Sequence, residues 1–255
     1  MLGAIAGDIV GSRFEGGSAP PYGFALFHPD CRFTDDTVCT LAVAAARLDD
    51  GDDARSLRAF VRRHPHRGYG ALFRRWAFAD DAPAYGSWGN GAPMRTAAVG
   101  WLAGSADEAR RDAAAQAAVT HDHPDAIAAA QATALAVHLA RRPVPTARIA
   151  ARLESEFGYD LAPRTALTTG FDISARGTVE PALAAALHAE DWETAVRAAV
   201  SLGGDTDTLA CIAGGVAEVI HGLPVAVAAA ARRHLSDDLV AVLDRFTAAL
   251  AGAEA

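Results

Sequence analysis

The chain has 255 residues, enough for one large domain or two small ones, and its 51% hydrophobic content is largely alanine, with only 7% aromatic. Its formal net charge is −8, and its Arg pairs are scattered without forming a basic stripe, which disfavours a nucleic-acid binder. All 23 basic residues are arginine, so lysine Schiff-base chemistry and a P-loop lysine are excluded.

In chain order, the N-terminal MLGAIAGDIVGSRFE has no basic n-region and meets Asp8 after a few apolar residues. Neither a signal peptide nor a membrane span is expected there, and a cytoplasmic location follows. The run GDIVGSRFEGG, Gly7 to Gly17, reads as a glycine-bounded loop carrying Asp8, Ser12 and Glu15. Helical periodicity is clear after FTDDT, where Val38, Leu41, Ala42, Ala45 and Leu48 share one face. Further helices are predicted at about 53–64, 68–78, 91–103, 106–119, 124–141, 144–157, 179–189 and 191–202. Pro124 takes a first-turn position in the helix over 124–141. Segment 164–177 has too weak a pattern to assign. A second well-marked helix follows GGDTDT, with Leu209, Ile212, Val216, Val219 and Ile220 on one face and Gly222 and Pro224 at its stop. Helices over 225–234 and 236–252 complete the chain. No stretch sustains strand alternation, and no linker marks a boundary. The predicted fold is all-α, a single compact domain over residues 1–255 of about a dozen helices. Cys31, Cys39 and Cys211 have no CxxC spacing and read as free thiols in a reducing compartment.

Two short clusters concentrate acids before helices. The first is FTDDT, with Thr34, Asp35, Asp36 and Thr37; the second is GGDTDT, with Asp205, Thr206, Asp207 and Thr208. Asp and Thr are ordinary N-cap residues, and acids suit the positive end of a helix dipole. A cap needs one side-chain oxygen, however, and each of these helix starts offers more. Neither cluster holds sulfur or imidazole. All-oxygen donors suit magnesium, manganese or calcium rather than zinc or copper. The two clusters therefore read as halves of one metal site between helix N-termini.

Three further loops carry chemistry. Glu15 lies on a glycine-flanked segment and is either a solvated loop residue or a mobile acid. YGSWGNGAPMR, Tyr85 to Arg95, is a Gly-rich turn ending at a helix start, whose amides can cradle a phosphate or diphosphate. Its plainer reading is an Asn-Gly turn. THDHPD, Thr120 to Asp125, places His-x-His before a helix; one imidazole contacting a ligand and one serving the local turn is favoured over zinc.

Taken together, the motifs GDxxGxxxE, TDDT, GNGxxMR, THxHP and GGDTDT, in this order across nearly the whole chain, resemble the ADP-ribosylglycohydrolase family. The resemblance implies an all-α fold with two divalent cations, magnesium or manganese. It implies Thr34, Asp35, Asp36, Asp205, Asp207 and Thr208 as metal ligands, and Glu15 as a mobile acid at a metal or the scissile bond. It implies Ser87, Gly89, Asn90, Gly91 and Met94 as the lining of a diphosphate and ribose pocket, with His121 near the substrate. The implied activity is hydrolysis of the bond joining ADP-ribose to an acceptor, with Glu15, Asp35 or Asp36 moving the proton. The substrate carries ADP-ribose, on a protein side chain or in a small derivative, and the protein is expected to act as a monomer without membrane or nucleic acid. The alternative within the same fold is a non-catalytic ADP-ribose binder or structural member.

Overall fold

A computed structural model of the chain describes residues 1–49, 51–167 and 170–253. Among these residues the chain forms thirteen α-helices and one 3-10 turn, with no strand beyond an isolated bridge between Gly89 and Ser174. In order the helices are α1 (Leu2–Gly11), α2 (Asp35–Leu48), α3 (Asp53–Arg63), α4 (Ala71–Ala77), α5 (Ala97–Leu102), α6 (Ala106–Ala118) and α7 (Pro124–Ala140). They continue as α8 (Thr146–Phe157), α9 (Ala175–Leu187), α10 (Trp192–Val200), α11 (Thr206–His221), α12 (Val225–His234) and α13 (Asp237–Ala253). The all-α reading of the sequence is correct. None of these helices is long and apolar enough to cross a membrane.

Local chemistry starts most of them. Side chains of Asp52, Ser105, Ser174 and Asp191 accept hydrogen bonds from backbone amides at the starts of α3, α6, α9 and α10. The helices that are buried nearly all round, α1, α2, α7 and α11, make the centre of the molecule. Their alanines permit close approach, and Ile5, Ile9, Leu41 and Leu135 are fully buried among them, with Leu183 of α9 in the same core. α10 is fastened to this centre by Trp192, whose Nε1 donates to Gly214 O at 3.1 Å.

The largest departure from the sequence reading is α1. Gly7 to Gly11 is helix, not loop. Glycines at positions 3, 7 and 11 lower helix propensity and hide the element. They are there because α1 lies against α11 backbone to backbone: a Cβ on Gly7 would meet Ala210 O at 2.0 Å, and one on Gly11 would meet Thr206 O at 2.3 Å. This seam carries Asp8, fully buried, to the first turn of α11. Of the other helices, several ends shift slightly, as where the helix expected over 68–78 is Ala71–Ala77, and two boundaries shift further. The helix expected over 91–103 is broken into a 3-10 turn (Pro93–Arg95) and α5. The helix expected from 179 starts at Ala175, because Ser174 Oγ caps Gly177 N at 3.0 Å; Gly177 and Pro181 obscured that start in the sequence. Of the unassigned segment 164–177, residues 168 and 169 lie outside the described residues.

Candidate active site

The first acidic cluster sits where α1 and α2 meet. Thr34 is the N-cap of α2, and its Oγ1 accepts from Asp36 N at 3.3 Å. The same hydroxyl donates to Asp8 Oδ1 at 2.6 Å, while Thr34 N and Thr37 N donate to Asp8 Oδ2 at 3.0 and 3.2 Å. Thr37 Oγ1 also donates to Asp8 Oδ2. Asp8 is thus a buried carboxylate with donors on both oxygens, and it fixes the first turn of α2. The capping is done by a hydroxyl, so Asp35 and Asp36 are left over. Asp36 Oδ2 has Thr34 Oγ1 at 3.2 Å and Thr208 Oγ1 at 3.3 Å; Asp36 Oδ1 is buried with no partner.

The second cluster starts α11. Asp205 occupies the N-cap position but makes no side-chain cap hydrogen bond. It accepts instead from Asn90 Nδ2 at 2.6 Å. Asn90 Nδ2 also donates to Thr178 Oγ1 at 3.1 Å, so its two amide hydrogens tie the acidic cluster and α9 to the glycine loop. Asp207 Oδ1 accepts from Thr208 N at 3.0 Å, and Thr206 Oγ1 donates back across the α1 seam to Gly11 O at 2.9 Å. The loop carrying Glu15 is tied down by Gly16 N donating to Gly204 O at 2.9 Å. The capping explanation therefore accounts for neither pair of acids.

The clusters converge. Asp8, Asp36 and Asp207 each bring an oxygen within 4.8 Å of the others, and so do Glu15, Asp205 and Asp207. Asp207 belongs to both groups. Among the described residues no arginine forms an ion pair with Asp8, Asp35, Asp36, Asp205 or Asp207. Burial, then the negative charges of neighbouring acids, pushes the Asp36 and Asp207 carboxyls well above the usual range. Asp35 is raised likewise, by burial and then by Asp8. Asp8 is pushed up to about 6 by burial, against the pull of its Thr34 and Thr37 hydrogen bonds. Glu15, the exposed member, is raised by partial burial and by Asp205, with Arg32 opposing. Packed carboxylates lacking a counter-charge are unstable when ionised. The orphaned Asp36 oxygen and the all-oxygen donor set fit hard divalent cations.

These groups form one wall of a cavity of about 350 Å³. Glu15, Asp35, Asp36, Asp205, Asp207 and Thr208 all line it. So do Ser87, Gly89, Asn90, Gly91, Met94 and His121 on the facing wall. Of the predicted site residues, Thr34 alone lies beneath, buried and bonded to Asp8. His121 is 4% exposed and sits so close to the glycine loop that a Cβ on Gly91 would lie 2.9 Å from its Nε2. His123 turns away and caps α7, its Nδ1 accepting from Asp125 N at 3.2 Å.

Sequence reasoning missed several groups. Asp8 was visible as an acid inside an apolar run, a signal that it is buried for a reason. Arg95, fully buried, lines the cavity and has an unpartnered Nη1. Phe171 and Ile173, from the unassigned segment, reach the mouth together with Leu72 of α4 and are largely exposed. They are placed there because Ile173 O accepts from Asn90 N at 2.9 Å and Trp88 O from Ala175 N at 3.0 Å. No local periodicity announces such pairing.

An all-helical domain with two acidic helix starts facing a glycine loop defines a class, and comparison with known proteins identifies it. The ADP-ribosylglycohydrolase family profile matches residues 1–254, and the chain belongs to that family of glycohydrolases. It is 25% identical to mouse (Mus musculus) ADP-ribosylhydrolase ARH3 over 306 residues, covering 88% of this chain and 83% of the relative. The zebrafish (Danio rerio) ADP-ribosylhydrolase ARH3 is also 25% identical, over 302 residues, 88% of this chain and 82% of its own length. A solved structure, described as an ADP-ribosylglycohydrolase-related protein complex, superposes with a TM-score of 0.70 at 28% identity, covering 96% of this chain and 95% of the other.

Proposed function

We propose that the protein is a divalent-cation-dependent hydrolase that releases ADP-ribose from an acceptor. The observation that carries this reading is the convergence of the two acidic groups on Asp207, opposite a glycine loop that can take an anion. Asp35, Asp36, Asp207 and Thr208 would hold one cation, and Asp205 and Asp207, with Glu15 in reach, a second; Thr34 supports the first from below. Bound there, magnesium or manganese would neutralise the acids and polarise the hydroxyls of the sugar.

The chain's own residues do the rest. The turn from Ser87 to Gly91 and the buried donors His121 and Arg95 give the cavity an anion-accepting wall, suited to a diphosphate. Asn90 joins the two walls, holding the loop and Asp205 in fixed relation. The apolar mouth of Leu72, Phe171 and Ile173 suits the flat face of a nucleobase. Glu15 is the carboxylate with solvent access and a raised proton affinity. It takes a proton from the water that attacks the anomeric carbon; as the bond to ribose breaks the acceptor takes up a proton from solvent, and exposed Glu15 returns its own to solvent. Asp35 and Asp36, raised still further, are held for the cations rather than for transfer.

The test is release of free ADP-ribose from arginine-linked, serine-linked and O-acetyl substrates, with magnesium or manganese and with chelator. Release that requires a cation, from at least one linkage, is the expected result. Tight ADP-ribose binding without hydrolysis of any linkage would instead make the protein a binding module of the same fold.

A further inference from the structure

Behind His121 lies a polar chain that the acidic site does not use. Gln116 Nε2 donates to Ala92 O at 3.1 Å and to Thr96 Oγ1 at 2.7 Å, which turns its Oε1 toward Arg95. Arg95 Nε donates to that oxygen at 2.7 Å, and Arg95 Nη2 donates to Gln116 O and to Thr120 Oγ1, both at 2.9 Å. Thr120 Oγ1 lies 2.7 Å from His121 Nδ1. Arg95, Gln116 and Thr120 are all fully buried.

The direction of the last bond follows from the inventory of donors. A guanidinium only donates, so Thr120 Oγ1 accepts from Arg95. The Thr120 hydrogen is sealed from water, and among the described residues its remaining neighbour is His121 Nδ1. If Nδ1 carried a hydrogen, the hydroxyl hydrogen would be buried without a partner. Nδ1 is therefore the acceptor, and the hydrogen of the neutral ring is on Nε2, the atom that abuts Gly91. Burial, then the Arg95 charge, holds the imidazole pKa down at about 2, so the ring stays neutral.

We propose that Arg95 and Thr120 are positioning residues that lock His121 as a neutral Nε2–H donor aimed at the glycine loop, where it takes an anionic oxygen of the substrate's diphosphate. The inference rests on the reading of the Ser87–Gly91 turn as a diphosphate cradle.

Nitrogen-15 NMR of the histidine-labelled whole protein tests it, with the His121 signals assigned by their loss in His121→Asn. The expected spectrum has a pyridine-type Nδ1 and a pyrrole-type Nε2, and saturating ADP-ribose moves the Nε2 signal. Thr120→Val, which removes the hydroxyl and keeps the volume, is expected to abolish the tautomer preference and to weaken ADP-ribose binding about tenfold. Its KM rises more than its kcat falls, and Thr120→Ser restores both the spectrum and the affinity. A pyridine-type Nε2 in the unmutated protein overturns the proposal whether or not Thr120→Val folds. An Nε2 signal unmoved by ADP-ribose that calorimetry shows to be bound overturns the ligand half. Absence of any ADP-ribose binding refutes the cradle reading itself, and the tautomer spectrum still decides the relay.

Discussion

At the scale of single residues, the site is defined by what each acid lacks. Asp8 has donors on both oxygens and serves as an internal brace, whereas Asp36 Oδ1 has none and Asp205 declines the capping bond its position allows. The sequence shows that these helix starts carry more acids than capping needs, but which oxygen is left bare depends on packing and was out of its reach. The sequence did mark twelve residues that line the cavity, since acids, glycines and a histidine in loops are legible by type. It did not mark Arg95, whose role depends on burial, or Phe171 and Ile173, which pack from a stretch without periodicity. Because Asp207 is shared by both acidic groups, Asp207→Asn is expected to lower cation affinity about 100-fold or more and to remove hydrolysis with it. The chelated variant should melt no lower than the chelated parent, because an amide is buried among the acids without having to take up a proton. A variant with parental activity would return Asp207 to a structural role. Glu15→Gln is expected to lower kcat on the order of 10²-fold while ADP-ribose affinity stays within a factor of about two. Single-turnover rates at saturating cation measure this, and an unchanged rate removes Glu15 from proton transfer.

At the scale of elements, the α1–α11 seam matters most. It brings Asp8 from one helix, and Asp205 and Asp207 from the other, to the same point as the start of α2. The α2 and α11 helices were plain in the sequence, because their apolar faces follow the helical period and α11 ends on Gly222 and Pro224. α1 was not, because the glycines that allow the seam are the residues that argue against a helix. Propensity and tertiary packing conflict there, and packing wins. Gly7→Ala tests this directly. Its Cβ would lie 2.0 Å from Ala210 O, so the two helices must separate. The expected cost is about 1–3 kcal/mol in chemical denaturation, with cation affinity falling alongside because Asp8 and Asp207 move apart. Loss of stability with unaltered cation affinity would show that the seam supports the fold but not the site.

At the scale of the whole molecule, the buried acids are expected to make the folded state dependent on pH and on cations together. Asp35, Asp36 and Asp207 have raised pKa values and Asp8 one of about 6, so the folded, cation-free chain holds protons that the unfolded chain gives up near pH 4. Stability from these groups is present at low pH and is lost as pH rises through the folded pKa values. His121 acts oppositely: with a folded pKa of about 2, it favours the folded state increasingly as pH climbs toward about 6.5. His138, His234 and the Met1 amine, lowered by burial, act in the same direction as His121, and Glu15 and Asp53 in the same direction as the four acids. The cluster of close-packed carboxylates outweighs the imidazoles and the amine, so the chelated protein is expected to melt lower at pH 7.5 than at pH 5.5. A saturating divalent cation reverses the order, because ligation needs deprotonated oxygens, and adds about 2.7 kcal/mol per site at a hundredfold excess over Kd. Calorimetric melts with and without chelator check both signs. The most direct test of the central claim, that these acids form one two-cation centre, is anomalous scattering from manganese-soaked crystals. Two peaks with Asp207 between them are predicted, one in reach of Asp36 and one in reach of Asp205; no peak at saturating manganese, or peaks that do not touch Asp207, would contradict it.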